Sequence, residues 1–252
     1  MIRLRGIWHS YGSGYVLRDV SLNIDGDGVT AVVGINGAGK TTLAKVMAGL
    51  IRPSRGRVER SGLVGYVPQN PEYFFFEDTV FDEVAFGPRN LGMRGGDLER
   101  NVRWALRVTG LEGLEERNPH TLSGGEKKRL AIACVLSMRP LHVVLDEPLA
   151  NVDPPSRARL MDVMRSLGSV VLVTHDMSLV LELADRVVLL HGGKVVLDEG
   201  TEEFFQEDLT PYGLEKPLTL RLAGEMGLGF VRTEGELFER LSTGRAGVED
   251  GS

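Results

Sequence analysis

Gly34-Ile-Asn-Gly-Ala-Gly-Lys-Thr-Thr42 is the stretch whose reading decides the fold. It fits G-x-x-x-x-G-K-[ST], with Gly34, Gly39, Lys40 and Thr41 in the required places. The run before it, Val29-Thr-Ala-Val-Val33, is apolar and β-branched and reads as a buried strand. The run after it, over residues 43–50, has the spacing of a helix. Strand, glycine loop and helix in this order bring backbone N–H groups and a helix N-terminus onto an anion. The glycines leave room for the loop to wrap a phosphate chain. Lys40 is placed to reach β- and γ-phosphates, and the Thr41 hydroxyl to coordinate Mg²⁺. A plain glycine turn is the alternative, and the full motif in this context disfavours it. The chain is expected to bind a nucleoside triphosphate.

The totals are those of an ordinary globular protein: 252 residues, 42% hydrophobic and 25% charged, enough for one large domain or two small ones. A net charge of −6 argues against a nucleic-acid partner, which needs a basic footprint. The single cysteine, Cys134, suits a reducing cytosol. No stretch approaches the roughly 18 consecutive apolar residues of a membrane span, and Met1-Ile-Arg-Leu-Arg-Gly does not read as a signal peptide. Any work at a membrane is expected to be done from outside the bilayer.

Moving outward, residues 2–8 and 20–24 read as strands. Between them His9-Ser-Tyr-Gly-Ser-Gly-Tyr15 reads as a glycine-rich loop, in which Tyr11 offers a flat face for an adenine ring. A surface tyrosine is the bland alternative. Gly62-Leu-Val-Gly-Tyr-Val67 is a further strand that ends at Pro68-Gln69. Tyr73-Phe-Phe-Phe76 then sets four of the chain's sixteen aromatics in a row, either core or an apolar docking surface, and docking is the favoured reading. Helices are expected over 79–88 and 97–110, with Arg94-Gly-Gly96 as a breaker and Asp97 as N-cap. A helix from Leu122-Ser-Gly-Gly-Glu126 to about Met138 follows. Next come a strand over 142–145 ending in Asp146-Glu147, a helix over 155–167, and a strand over 169–174 ending at His175-Asp176. A helix over 177–184 and two strands (186–191 and 194–198) joined at Gly192-Gly193 complete an α/β pattern whose sheet is covered on both faces. Past residue 208 the character changes: a short helix carries Leu218, Leu220, Leu222 and Ala223. A capping box at Thr233–Glu236 opens another helix, and the tail over 242–252 is expected to be disordered.

The Asp146-Glu147 pair gains meaning from the glycine loop upstream. A carboxylate at the end of a neighbouring strand is what a Mg²⁺-organising position needs, and an adjacent Glu suits polarising the attacking water. With Leu122-Ser-Gly-Gly-Glu126 lying between Gln69 and that strand, and Asp153 and His175 following in order, the chain resembles the ATP-binding-cassette (ABC) ATPases over about residues 1–207. The resemblance implies an α/β phosphate-loop NTPase fold. Its parts are a RecA-like core, an antiparallel β subdomain, a helical signature subdomain inserted at about 79–138, and a small C-terminal helical extension over 208–252.

It further implies an adenine-stacking Tyr11 and a phosphate cradle of Gly34, Asn36, Gly37, Ala38, Gly39, Lys40, Thr41 and Thr42. Thr41, Gln69 and Asp146 would stand around Mg²⁺, Glu147 would be the general base, and His175 would contact the γ-phosphate. Asp153 would belong to the loop joining two subunits. Ser123, Gly124 and Gly125 would complete the nucleotide site of a second subunit, so that one chain holds two half-sites.

Val64-Gly-Tyr-Val-Pro-Gln-Asn-Pro71, Phe86-Gly-Pro-Arg-Asn-Leu-Gly92 and Gly213-Leu-Glu-Lys-Pro217 are similar to the ATPase subunits of energy-coupling-factor (ECF) transporters, a group that includes cobalt and nickel importers. That similarity implies ATP and Mg²⁺ as cofactors and a second ATPase chain, same or sibling, paired partly through the extension. It also implies a transmembrane scaffold and a small substrate-binding membrane subunit, with vitamins or transition-metal ions as cargo at the cytoplasmic face of the membrane. The sequence departs from the group at Leu149 (usually Thr), at Asn151-Val-Asp153 (usually Gly-Leu-Asp) and at Phe74 (often Gln). The alternatives are the ATPase of an ordinary ABC transporter, or a soluble ABC protein acting on DNA or ribosomes. The lack of a long heptad insertion or a basic patch speaks against the second.

Overall fold

A computed structural model describes residues 1–12 and 14–246. The chain opens with β1 (Ile2–Ser10), β2 (Tyr15–Ile24) and β3 (Gly28–Val33), followed by α1 (Lys40–Ala48), β4 (Arg55–Arg60) and β5 (Val64–Val67). Strands β2, β1 and β4 form an antiparallel sheet in that order. Its inward side chains, among them Ile2, Leu4, Ile7, Leu17 and Leu22, pack on Leu43, Val46 and Met47 of α1. The other side of α1 meets Val32 of the second sheet and its neighbours Val144, Val171 and Val188, so this helix is enclosed between two sheets. The loop expected over 9–15 is shorter than its glycines suggest. His9 and Ser10 complete β1, and Tyr15 starts β2 with its ring edge-on to Trp8 at 5.0 Å.

Three helices are inserted next: α2 (Val80–Asn90), α3 (Gly95–Val108) and α4 (Gly124–Leu136). Thr79 caps α2 by accepting from the Asp82 amide at 3.0 Å. Helix α3 starts earlier than expected: Arg94 is its N-cap, Gly95 and Gly96 lie in its first turn, and Asp97 is inside it. First-turn amides lack intrahelical partners anyway, so glycines there break nothing, and the Asp97 charge sits well near the positive helix end.

The rest of the chain builds the central sheet. After β6 (His142–Asp146) come α5 (Pro154–Ser166), β7 (Ser169–Val173), α6 (Met177–Leu183), β8 (Arg186–His191) and β9 (Lys194–Gly200). The sheet order is β5-β6-β7-β3-β8-β9, parallel except for the β8–β9 hairpin. Both hairpin glycines have positive φ, 55° at Gly192 and 80° at Gly193, as a tight two-residue turn demands. Strands β6 and β7 are buried along their whole length, which explains their unbroken apolar runs.

Three features lie outside the sequence expectation: β4, the helix α7 (Thr201–Gln206), and the C-terminal reach of the chain. The extension consists of α8 (Leu218–Glu225) and α9 (Glu234–Ala246) around a small core of Ala223, Val231 and Leu237. Residues 242–246 are therefore helical, contrary to the expected disorder, and 247–252 lie outside the described residues. The capping box there is shifted by one donor. Thr233 accepts from the Glu236 amide, but the Glu236 carboxylate takes the Arg232 amide at 2.8 Å instead of that of Thr233.

Candidate active site

The sheet order places the site. The segments that leave the C-terminal ends of β5, β6, β7 and β3 carry Gln69, Asp146-Glu147, His175 and the glycine loop, and these four strands are consecutive neighbours. Parallel strands bring such ends to one edge, where a cleft forms. A cavity of about 450 Å³ is lined there by Asn36, Gly37, Gly39, Lys40, Thr41, Thr42, Gln69, Asp146, Glu147 and His175, with Val16 at its wall. Gly34 and Ala38 lie behind it, buried. At Gly34 (φ 148°) a Cβ would stand 2.2 Å from the Leu190 carbonyl, so this glycine serves the close approach of β8, while Gly37 opens on empty space.

The buried Lys40 ammonium donates to the carbonyls of Gly34 (2.7 Å) and Ile35 (3.2 Å), folded back into the loop it closes. Burial lowers its pKa, and the charges of Glu147 and Asp146 oppose that shift. The Asp146 carboxyl is pushed up by burial, with Thr41 and Tyr66 pulling the other way. Its Oδ2 accepts from the Tyr66 hydroxyl at 3.1 Å, while the buried Oδ1 has no hydrogen-bond partner among the described residues. The Thr41 hydroxyl is near enough to lower the carboxyl's pKa, but its geometry falls short of a hydrogen bond to Oδ1.

Glu147 has both oxygens engaged. Oε1 takes the His175 amide (3.0 Å) and lies 2.6 Å from His175 Nδ1, and Oε2 accepts from the Thr174 hydroxyl at 3.1 Å. Tyr66 and Thr174 were not singled out from sequence. Tyr66 stands within the Val64–Pro71 stretch but has no role readable from it, Thr174 belongs to no motif, and only strand pairing brings the two to the carboxylates.

Tyr11 stands at the rim, 63% exposed, its phenol 3.5 Å from the Thr42 hydroxyl. Ser123, Gly124 and Gly125 are absent from the cleft. They begin α4, where Ser123 and Glu126 form a capping box. Gly125 has a local reason: a Cβ would meet Ser156 Oγ at 2.2 Å, at the start of α5, which Asp153 caps.

Beside Gln69 a second, largely apolar cavity of about 560 Å³ lies between the sheet and the inserted helices, lined by Tyr66, Tyr73, Phe74, Phe75, Cys134 and Val135 among others. Tyr73, Phe74 and Phe76 are exposed, whereas Phe75 is buried. The aromatic run is therefore not one uniform surface. Glu83, itself buried, clamps the run's end by accepting the amides of Phe76 and Glu77, both at 2.9 Å. Lys128 of α4 donates to the Gln69 carbonyl, and Lys127 pairs with Glu72 at 3.3 Å.

The ABC transporter family model matches residues 17–150. A Pyrococcus abyssi protein assigned as an ABC transporter ATP-binding protein is 48% identical over 257 residues, covering 95% of this chain and 98% of its own length. The energy-coupling factor transporter ATP-binding protein of Symbiobacterium thermophilum is 39% identical, covering 83% of this chain and 81% of its own. The solved structure of CbiO1 from Clostridium perfringens, described as part of the ABC transporter complex CbiONQ, has a TM-score of 0.73 at 32% identity. It covers 82% of this chain and 90% of that one. A dimeric bacterial ABC transporter cassette has a TM-score of 0.70 at 25% identity, over 80% of this chain and 99% of that one.

Proposed function

The chain belongs to the ABC transporter ATP-binding family, as an ATP-hydrolysing subunit of a transporter, and from that premise we propose that it powers an importer of the energy-coupling-factor type, carrying a vitamin or a transition-metal ion. The observation that carries this reading is the exposed aromatic pair Tyr73 and Phe74, presented next to Gln69 over an apolar cavity, with Phe76 exposed two residues further on. Exposed aromatic side chains of this kind suit the docking of a membrane subunit. The 39% identity to an energy-coupling factor ATPase supports the narrower assignment. No helix among the described residues is long and apolar enough to cross a membrane, and the proposed place of work is the cytoplasmic face, beneath a transmembrane scaffold and a small substrate-binding subunit.

In this reading the amides of residues 34–42, with Lys40, bind the phosphates of ATP, and Tyr11 stacks on the base. Mg²⁺ fits the residues present: Asp146 Oδ1 is buried without a partner in the cleft that Thr41 and Gln69 share. That ion, when bound, neutralises charge developing on the terminal phosphates. Glu147 takes the proton of the attacking water, and His175, held by Glu147, is placed to face the terminal phosphate. Ser123 and Gly124, exposed and far along the chain from Lys40, face outward to serve the site of a second cassette. Closure of two chains on ATP, and reopening after hydrolysis, then moves the docked membrane subunit.

The deciding experiment is affinity purification of the chain from detergent-solubilised native membranes, with mass identification of its companions. A scaffold plus a small membrane subunit is the expected outcome. A pair of large permease subunits would instead make it the ATPase of an ordinary ABC transporter, and ribosomal or DNA-bound partners would overturn the transport reading.

A further inference from the structure

His9 is a buried ionisable side chain for which the site as described has no use. It is 8% exposed, on the core-facing side of β1, and neither ring nitrogen reaches a hydrogen-bond partner among the described residues. A buried nitrogen without a partner is costly, and a leucine would fill the same space without that cost. Among the described residues the one aromatic neighbour of the imidazole is Tyr11, two residues on, with ring centroids 4.7 Å apart and planes at 81°. That edge-on geometry is the favourable one for two aromatic rings, and it allows a ring N–H to face a π cloud. Tyr11 is thus held at two places, by His9 at its ring and by the Thr42 hydroxyl at its phenol, while most of its surface stays open to solvent.

We propose that His9 is the positioning residue for nucleotide base recognition: its imidazole fixes the Tyr11 ring over the mouth of the phosphate loop before the nucleotide arrives. Ordering the platform in advance removes an entropic cost from binding, and only ligands that possess a base gain from it. The inference rests on Tyr11 being the base-stacking residue.

The test is calorimetric binding of ATP, and of inorganic tripolyphosphate as a ligand without a base, to the full chain. The variants are His9→Leu, His9→Phe, Tyr11→Ala and the double variant His9→Leu/Tyr11→Ala. His9→Leu is expected to weaken ATP about three- to tenfold, the effect of one aromatic pair, and to leave tripolyphosphate unchanged. His9→Phe, which restores a ring, should stay within about twofold of wild type. In the Tyr11→Ala background His9→Leu should add nothing. If the leucine variant does not fold, His9→Met replaces it.

Unchanged ATP affinity in His9→Leu, with Tyr11→Ala weakened, overturns the role of His9 alone. So does a loss that extends to tripolyphosphate, a loss that persists without Tyr11, or an equal loss in His9→Phe. Unchanged affinity in Tyr11→Ala overturns the stacking reading and this inference with it.

Discussion

Glu147 has a left-handed backbone, φ 48°, which a non-glycine residue adopts only where its surroundings hold it. Its amide donates to the Val173 carbonyl at 2.8 Å, and the turn swings the carboxylate onto Thr174 and His175. Glu147→Gln preserves that packing and removes the proposed base. Phosphate release should fall about 100-fold or more, while an ATP-bound dimer accumulates on size exclusion. Undiminished hydrolysis would refute the assignment. Asp146 makes a different prediction. Burial holds its carboxyl above the ordinary value, so the folded state keeps a proton that the unfolded chain has lost. The nucleotide-free fold therefore loses stability as pH rises through that window and carries the full cost of the buried charge above it. Asp146→Asn should melt higher than wild type at pH 7 without nucleotide, with the gain vanishing below about pH 4. It should lose the extra stabilisation that Mg²⁺ adds to ATP binding. Thermal melts across pH check both, and an unchanged midpoint at pH 7 would contradict the burial argument.

At the scale of elements, the segment from Gln69 to Glu77 is gripped from two sides. Lys127 and Lys128 of α4 hold its start, and Glu83 of α2 holds its end. The aromatics between are thereby presented outward, except Phe75, which turns into the core that also holds Val80 and Val84. Tyr73→Ser/Phe74→Ser should leave ATP hydrolysis by the isolated chain intact and abolish co-purification of membrane subunits, and an intact complex would sink the docking claim. Phe75→Ser should behave otherwise, destabilising the fold by about 3–5 kcal/mol in denaturant titration, the usual cost of emptying a core phenylalanine site. Periodicity made α2, α4, α5 and the inner strands legible, because amphipathic or wholly apolar runs reflect which faces are buried. It could not tell Phe75 from its neighbours. In a run of four aromatics every spacing is apolar, and only the direction of the short 3-10 turn at Pro71–Phe74 sorts inside from outside. Strand β4, with the sequence Arg-Gly-Arg-Val-Glu-Arg, carried no apolar alternation either, since it is mostly exposed and held by pairing with β1.

For the whole molecule, the cleft and the start of α4 are separate features of one chain, and a complete site is expected only when two chains meet. Leu218 and Leu222 of α8 and Met226, which caps its C-terminal end, recur every fourth residue and remain exposed, a stripe on one side of the helix. We assign this stripe to pairing between the two ATPase chains. Leu218→Ser/Leu222→Ser should weaken the ATP-trapped dimer of the Glu147→Gln protein about tenfold or more in sedimentation. An unchanged dimer affinity would remove the extension from the interface. By itself the sequence determined the phosphate loop, the order of the motifs around it and most of the helices and strands. These are local properties, set by which residue types a tight turn, a helix cap or a buried strand tolerates. Tertiary structure alone decided which strand ends are neighbours, and so why Gln69, Asp146, Glu147 and His175 share one cleft while Ser123 does not. It alone turned Phe75 inward, left Asp146 Oδ1 without a partner and set the His9 ring against Tyr11. Those outcomes depend on distances between residues far apart in the chain or on the side to which a backbone turns, and residue order does not encode either by itself.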